Sequence, residues 1–294
     1  MIKKGVYAAG LSLFNEDCSL NIEATINHAS SIIKKGLHGV FFFGSTGQSQ
    51  LISNSEKKSL IQKIANHKLK DFFYLGTGCN SLKENIEIVK YAMEYGFNEF
   101  LIMPPAYYKG NTEEGVLKFY SLLITAAPKI KIILYNFEKL SGFKFTKEFI
   151  TKLVKKFPKN IIGCKDSSYN LYEKLKLPNF LIFPGSETKL LKGLEIGCAG
   201  CISAVTNVTH SLARKVFDDF EKKKNQTDNE KLILVRETFD KYNLISALHS
   251  FLSTQDDIYK KVLPPLILLS DEEQKELISK TKNLKFFFNK GMAA

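Results

Sequence analysis

Residues 39–48 read G-V-F-F-F-G-S-T-G-Q. The first five carry no charge, as in a strand covered on both faces, and the run then breaks into a turn of glycines and hydroxyls. Just beyond it, Ser53 and Glu56 form an S-x-x-E capping box, and the amphipathic stretch from Ser53 to His67 reads as a helix. A second apolar run, Phe72 to Gly76, follows at once. A strand, a helix and another strand in succession make a βαβ unit, whose two strands lie parallel.

The same alternation extends in both directions. Candidate strands are Val6 to Leu13, Gly39 to Phe43, Phe72 to Gly76, Glu99 to Met103, Ile130 to Tyr135, Ile161 to Lys165, Phe180 to Phe183 and Gly200 to Ala204. Helical patterns lie between them, such as Ser81 to Tyr95 with its own S-x-x-E at Ser81 and Glu84. Eight strand-then-helix units predict an α/β fold of the (β/α)8 TIM barrel type; a doubly wound open sheet is the competitor, and the count of eight short strands favours the barrel. The barrel is expected over residues 1–224. From 225 to 294 the strand signal disappears, and helices are expected around Leu232 to Leu252 and Ser270 to Asn289, as a C-terminal helical extension packed on the barrel.

Composition narrows the class without choosing a function. Of 294 residues 44% are hydrophobic and 24% charged, enough for a sizeable core. No uncharged apolar stretch approaches the roughly 20 residues that span a bilayer, and the N-terminus lacks the apolar core of a signal peptide, so a soluble cytoplasmic protein without membrane partners is expected. The formal charge of +12 is spread as lysines over every expected helix, which argues against a nucleic-acid partner. The five cysteines, Cys18, Cys79, Cys164, Cys198 and Cys201, are an odd number that suits reduced thiols. Cys198-Ala-Gly-Cys201 has the spacing of half a zinc site, but no second ligand pair accompanies it, and no metal is expected.

In a barrel of this type catalytic groups gather at the C-terminal ends of the strands. Tyr135-Asn136, Lys165-Asp166, Gly185-Ser186-Glu187 and Ile202-Ser203-Ala204 all fall there, as does the turn Gly44-Ser45-Thr46-Gly47. Strict alternation places Ile161, Gly163 and Lys165 on one face and Ile162, Cys164 and Asp166 on the other, with Gly163 leaving room for the lysine stem. A lysine in a partly dry cavity has its charged form disfavoured and becomes a nucleophilic amine, which can form an imine with a ketone. A single lysine at a strand end is more often half of a salt bridge. Tyr135, on a neighbouring strand, adds the weak acid or base that imine chemistry requires. The Gly44–Gly47 turn, with two hydroxyls and free N–H groups, can hold a carboxylate.

Read in order, G-S-T-G-Q with L-I-S-N-S-E-K, then P-P-A-Y-Y-K, L-Y-N-F-E-K-L-S-G, I-G-C-K-D-S-S, G-S-E and G-C-A-G-C-I-S-A-V-T-N resemble the pyruvate-dependent class I aldolases, the family of dihydrodipicolinate synthase, N-acetylneuraminate lyase and 2-keto-3-deoxy sugar acid aldolases. The resemblance runs over nearly the whole chain. It implies that Lys165 forms the Schiff base, that Tyr135 is the acid/base, and that Ser45 and Thr46 bind the carboxylate, with a hydroxyl in the proton relay. Gly185, Glu187, Ile202, Ser203 and Glu138 would contact substrate. It also implies a homotetramer, a dimer of dimers, in which Tyr108, beside Tyr107, completes the relay of the neighbouring subunit. Neither metal nor organic cofactor is implied.

Departures from the family pattern bear on substrate. A dihydrodipicolinate synthase carries an arginine, two residues before the glycine, that grips the carboxylate of its aldehyde; Leu140 stands there in Tyr135-Asn136-Phe137-Glu138-Lys139-Leu140-Ser141-Gly142. The sialic acid branch has G-F-D-E where this chain has Gly185-Ser186-Glu187-Thr188. The expected activity is therefore that of a Schiff-base carbon–carbon lyase acting on pyruvate plus an aldehyde, its substrate a 2-keto-3-deoxy sugar acid or similar hydroxylated 2-oxo acid. One alternative is a 4-hydroxy-tetrahydrodipicolinate synthase, condensing pyruvate with aspartate semialdehyde, whose carboxylate grip has moved to Lys139 or Lys109. A more distant one is a non-catalytic protein that binds a 2-oxo acid.

Overall fold

The computed structural model describes residues 2–287. Eight parallel strands, β1 (Gly5–Ala9), β2 (Gly39–Phe42), β3 (Phe73–Gly76), β4 (Glu99–Ile102), β5 (Lys131–Asn136), β6 (Ile161–Asp166), β7 (Leu181–Pro184) and β8 (Gly200–Ser203), are hydrogen-bonded in the order β7-β6-β5-β4-β3-β2-β1-β8. The two ends meet where the Ala199 N–H donates to the Ile182 carbonyl at 2.8 Å, so the sheet is a nearly closed (β/α)8 barrel and not an open one. Around it run α1 (Ile22–Lys34), α2 (Asn54–Ala65), α3 (Leu82–Glu94), α4 (Glu113–Ala126), the short α5 (Glu138–Ser141), α6 (Lys147–Lys156), α7 (Leu190–Glu195) and α8 (Thr206–Glu221). The capping box that announces α2 is present in both directions at Ser53 and Glu56.

Alternation along the strands divides the core in two. Val40, Phe42, Leu75, Ile102, Leu134 and Cys164 face outward beneath the helices. Inside, Tyr7, Phe41, Tyr74, Ile133, Phe183 and Ile202 fill the barrel, with Tyr7 edge-on to Phe41, Tyr74 and Phe183 at 5.5–5.9 Å. These rings close the barrel below the level of Tyr135 and make it a packed core open only at its C-terminal mouth.

Three details depart from the sequence expectation. The first strand ends at Ala9, where Gly10 turns its N–H onto the Phe41 carbonyl. The connection from β6 to β7 contains no α-helix; turns at 167–179 replace the sixth unit's helix. Within β6 the register jumps, Ile132 pairing with Ile161 but Ile133 with Gly163, so Ile162 is an extra residue. This bulge breaks the alternation: Ile161 joins the outer core and Ile162 the inner one, while Lys165 still faces inward. Gly163 serves the strand beside it, since a Cβ there would stand 2.5 Å from the Leu181 carbonyl oxygen of β7.

The C-terminal segment forms α9 (Asn229–Phe239), α10 (Leu244–Ser253) and α11 (Asp271–Asn283), so the single run expected over Leu232 to Leu252 is two helices. The last two residues of the helix expected to reach Asn289 lie outside the described residues. Val235, Phe239, Leu248, Phe251 and Leu277 pack on Leu11, Val205 and Val208, which lie beside the barrel mouth. This places α9 and the start of α10 over one side of it. No helix among the described residues is long and apolar enough to cross a membrane.

Candidate active site

The register of β5 against β6 sets Tyr135 directly opposite Lys165. Both face the barrel interior and are nearly buried, at 4% and 3% exposure. Lys165 Nζ lies 4.3 Å from the centre of the Tyr135 ring, within the range of a cation–π contact. The Tyr135 hydroxyl is hydrogen-bonded to Ser45 Oγ at 3.1 Å. An amine, a phenol and an aliphatic hydroxyl from three separate strand ends thus meet at one point.

The supports of this trio are local. Ser45 begins a single 3-10 turn, Ser45–Gly47, in which the N–H groups of Gly47 and Gln48 bond the carbonyls of Gly44 and Ser45. As at any helix start, the N–H groups of Ser45 and Thr46 have no acceptor within the turn. Gln48 Oε1 accepts the Leu263 N–H at 2.7 Å and so ties the turn to the C-terminal segment. Asp166, next to Lys165 and on the opposite face, is fully buried. Its Oδ1 accepts from Asn136 Nδ2 at 2.8 Å, and its Oδ2 accepts the N–H groups of Leu171 and Tyr172 at 2.8 and 2.9 Å. That carboxylate organises the helix-free loop after β6.

A cavity of about 930 Å³ opens over the trio. Three of its lining residues, Phe43, Gln48 and Tyr169, hold the left-handed backbone region at φ 59°, 54° and 57°. Such strain costs on the order of 1–3 kcal/mol per residue and persists where surrounding packing enforces it, most often at functional sites.

Of the residues expected at the site, Ser45, Thr46, Tyr135, Glu138, Lys165 and Gly185 line this cavity. The others lie elsewhere. Ile202 belongs to the packed interior. Glu187 is completely buried, and its carboxylate is taken by Arg236 Nη1 at 2.9 Å, Ser203 Oγ at 2.5 Å and Thr209 Oγ1 at 3.0 Å. Ser203 also accepts from Arg236 at 2.8 Å, so Glu187 and Ser203 stand behind the cavity wall. Tyr108 is 75% exposed and stacks edge-on with the equally exposed Tyr107, outside the cavity of its own chain. Leu140 and Lys139 line the rim, while Lys109 Nζ is engaged by the carbonyls of Ala106 and Leu140 at 3.1 Å.

Arg236 lines the cavity and escaped the sequence reading, which took this segment for a helical extension packed on the barrel and named no site residue in it. A signal was available. Only two residues of this lysine-rich chain, Arg214 and Arg236, are arginines, and a planar guanidinium is favoured where several buried acceptors must be held at once. Its two carboxylate partners, Glu187 and Asp240, hold its pKa above the ordinary arginine value against the opposing effect of burial. Tyr169, also missed, has its phenol pushed up to about 12, mainly by desolvation.

The model of the dihydrodipicolinate synthetase family matches residues 3–284. The chain belongs to that family. Among relatives within it, an uncharacterized DapA-like lyase from Chloroflexus aurantiacus is 30% identical over 279 residues, covering 92% of this chain and 93% of its own length. The N-acetylneuraminate lyase of Actinobacillus pleuropneumoniae is 34% identical over 73% of this chain and 74% of its own, and a 4-hydroxy-tetrahydrodipicolinate synthase from Prochlorococcus marinus is 28% identical over 74% and 73%. The fold agrees. YagE, a prophage protein of the dihydrodipicolinic acid synthase family from E. coli K12 solved in complex with pyruvate, superposes with a TM-score of 0.88 at 21% identity, covering 98% of this chain and all of its own. Dihydrodipicolinate synthase from Agrobacterium tumefaciens gives 0.85 at 24%, covering 96% and 99%. Members of the dihydrodipicolinate synthetase family are thus aldolases and lyases that differ in substrate.

Proposed function

We propose that this protein is a lyase that joins a 2-oxo acid, pyruvate, to Lys165 as an imine and makes or breaks a carbon–carbon bond to a hydroxylated aldehyde. One observation carries the reading: Lys165 Nζ lies over the ring of Tyr135, whose hydroxyl is bonded to Ser45 Oγ, within one cavity at the strand ends. The pyruvate named in the YagE complex and the catalytic lysine named for the sialic acid aldolase of Ruminococcus gnavus support it.

In the synthetic direction the neutral amine adds to the keto carbon, and the resulting alcohol leaves as water to give the protonated imine. Loss of a methyl proton yields an enamine, whose carbon attacks the aldehyde; the new alkoxide takes up a proton, and water releases the product and restores the amine. Tyr135 is the group placed to move these protons, passing them through Ser45. Ser45 and Thr46, with the N–H groups at the start of their turn, would hold the pyruvate carboxylate. Tyr108, exposed on its own chain, would complete the relay of a neighbouring subunit in a homotetramer.

The substrate we favour is a 2-keto-3-deoxy sugar acid or similar hydroxylated 2-oxo acid, because apolar Leu140 occupies the rim where a bidentate carboxylate grip would stand. Lys139 on the same rim favours the second reading, condensation with aspartate semialdehyde. Borohydride reduction in the presence of pyruvate, followed by peptide mass spectrometry, tests the imine: the reduced pyruvyl adduct is expected on Lys165, and its absence there would reject the mechanism. Pyruvate release from keto-deoxy acids exceeding turnover of aspartate semialdehyde supports the favoured substrate, and the reverse order rejects it.

A further inference from the structure

The cavity has a wall that the barrel does not supply. Arg236 of α9 and Asp240, the residue just after α9, line it, beside Tyr169 and the start of α10. Arg236 is only 7% exposed and is held by three hydrogen bonds and two ion pairs. Nη1 donates to Glu187 and Ser203 at 2.9 and 2.8 Å, and Nε donates to Asp240 Oδ1 at 2.9 Å, with Nη2 paired to the same oxygen at 2.9 Å. Glu187 is sealed behind it by Ser203 and Thr209. The Asp240 side chain is 43% exposed, and its Oδ2 makes no bond among the described residues. One guanidinium therefore faces two carboxylates, and this group carries a formal net negative charge with one acceptor oxygen that has no partner among the described residues.

We infer that Asp240 reads the distal end of the aldehyde half of the substrate, accepting hydrogen bonds from the hydroxyls of an uncharged polyol chain, and that Arg236 is the positioning residue that fixes it. The inference rests on the lysine-imine reading and sharpens it by naming what the far end of the substrate must be. A hydroxyl donates to a carboxylate without bringing charge. A distal carboxylate or phosphate would have to shed water against charge of its own sign, and such like-charge juxtaposition discriminates between otherwise similar ligands. The bond to Arg236 orients Asp240 Oδ1 and leaves the other oxygen to turn toward the ligand.

The test compares kcat/KM for condensation of pyruvate with glyceraldehyde, glyceraldehyde 3-phosphate and succinic semialdehyde, in the wild-type protein and in Asp240→Asn, with Asp240→Ser as a second variant. Borohydride trapping of pyruvate on the wild type runs alongside. We expect the wild type to favour glyceraldehyde over both anionic aldehydes by at least about tenfold, and each variant to lose about tenfold on glyceraldehyde but less than about twofold on the anions. Wild-type preference for either anion, or a preference ratio unchanged in both variants, overturns the inference while trapped pyruvate leaves the imine reading standing. A wild type that traps no pyruvate overturns both.

Discussion

At Lys165 the decisive quantity is its surroundings. The side chain is buried, stands over an aromatic face, and reaches solvent only through the cavity, so removal of its amine removes the one nucleophile at that point. Lys165→Ala is expected to abolish borohydride trapping of pyruvate. Tyr135→Phe keeps the ring under the amine and deletes only the hydroxyl bonded to Ser45. It should lower kcat by about 10²- to 10⁴-fold, the usual yield of a positioned acid/base, while one lost hydrogen bond costs about 1 kcal/mol of stability. Rapid-quench kinetics and urea denaturation measure the two effects; unchanged kcat in the phenylalanine variant would remove Tyr135 from the relay. Both side chains were legible in the sequence because their residue types are unusual at strand ends. The engagement of Glu187 was not, since its partner Arg236 lies 49 positions away.

Among the elements, β6 and its following loop show how a strand is adapted to carry a lysine. The bulge at Ile162 re-aims the strand, Gly163 lets the β7 backbone approach, and the loop without a helix is gathered onto Asp166. Asp166→Ala strands one N–H of the Asn136 amide and two backbone N–H groups in a dry environment and is expected to cost about 3 kcal/mol. Urea denaturation measures this. A loss below about 1 kcal/mol would mean that the loop does not depend on the carboxylate. Capping boxes and apolar runs made most strands and helices readable, because those signals lie within a few residues of one another. The bulge left no mark in the sequence: I-I-G-C-K-D alternates equally well with or without an extra residue, and only pairing with β5 decides between the two.

Across the whole molecule, the joint between barrel and C-terminal helices contains three buried histidines. His28 of α1 is bonded to Asn207 and the Tyr259 hydroxyl at 2.9 and 2.8 Å, His249 of α10 meets the Tyr259 carbonyl at 3.0 Å, and His210 lies on α8. Burial pushes His28 and His249 down to about 4 and His210 down to about 3, assisted by Lys35 at His28 and His210 and by His28 at His210 and His249. Each binds its proton more weakly folded than unfolded. They add no pH dependence above about 6.5, and stability falls as pH drops from there toward 4, by on the order of 3 kcal/mol for His28 alone. Urea denaturation at pH 7 and pH 5 should show this loss, and it should shrink in His28→Gln; equal stability at the two pH values would contradict the burial.

What this sequence determined by itself is the alternation of eight strands with helices, the caps that start several of those helices, and the placing of a lysine and a tyrosine at strand ends. These follow from patterns with periods of two and 3.6 residues, which each segment carries alone. Only the tertiary structure decided that Glu187 and Ser203 turn behind the wall, that α9 brings Arg236 and Asp240 to the mouth, and that Ile162 is an extra residue. Those facts depend on which distant segments become neighbours once the sheet closes, and side-chain chemistry within a segment does not encode the partner it will meet.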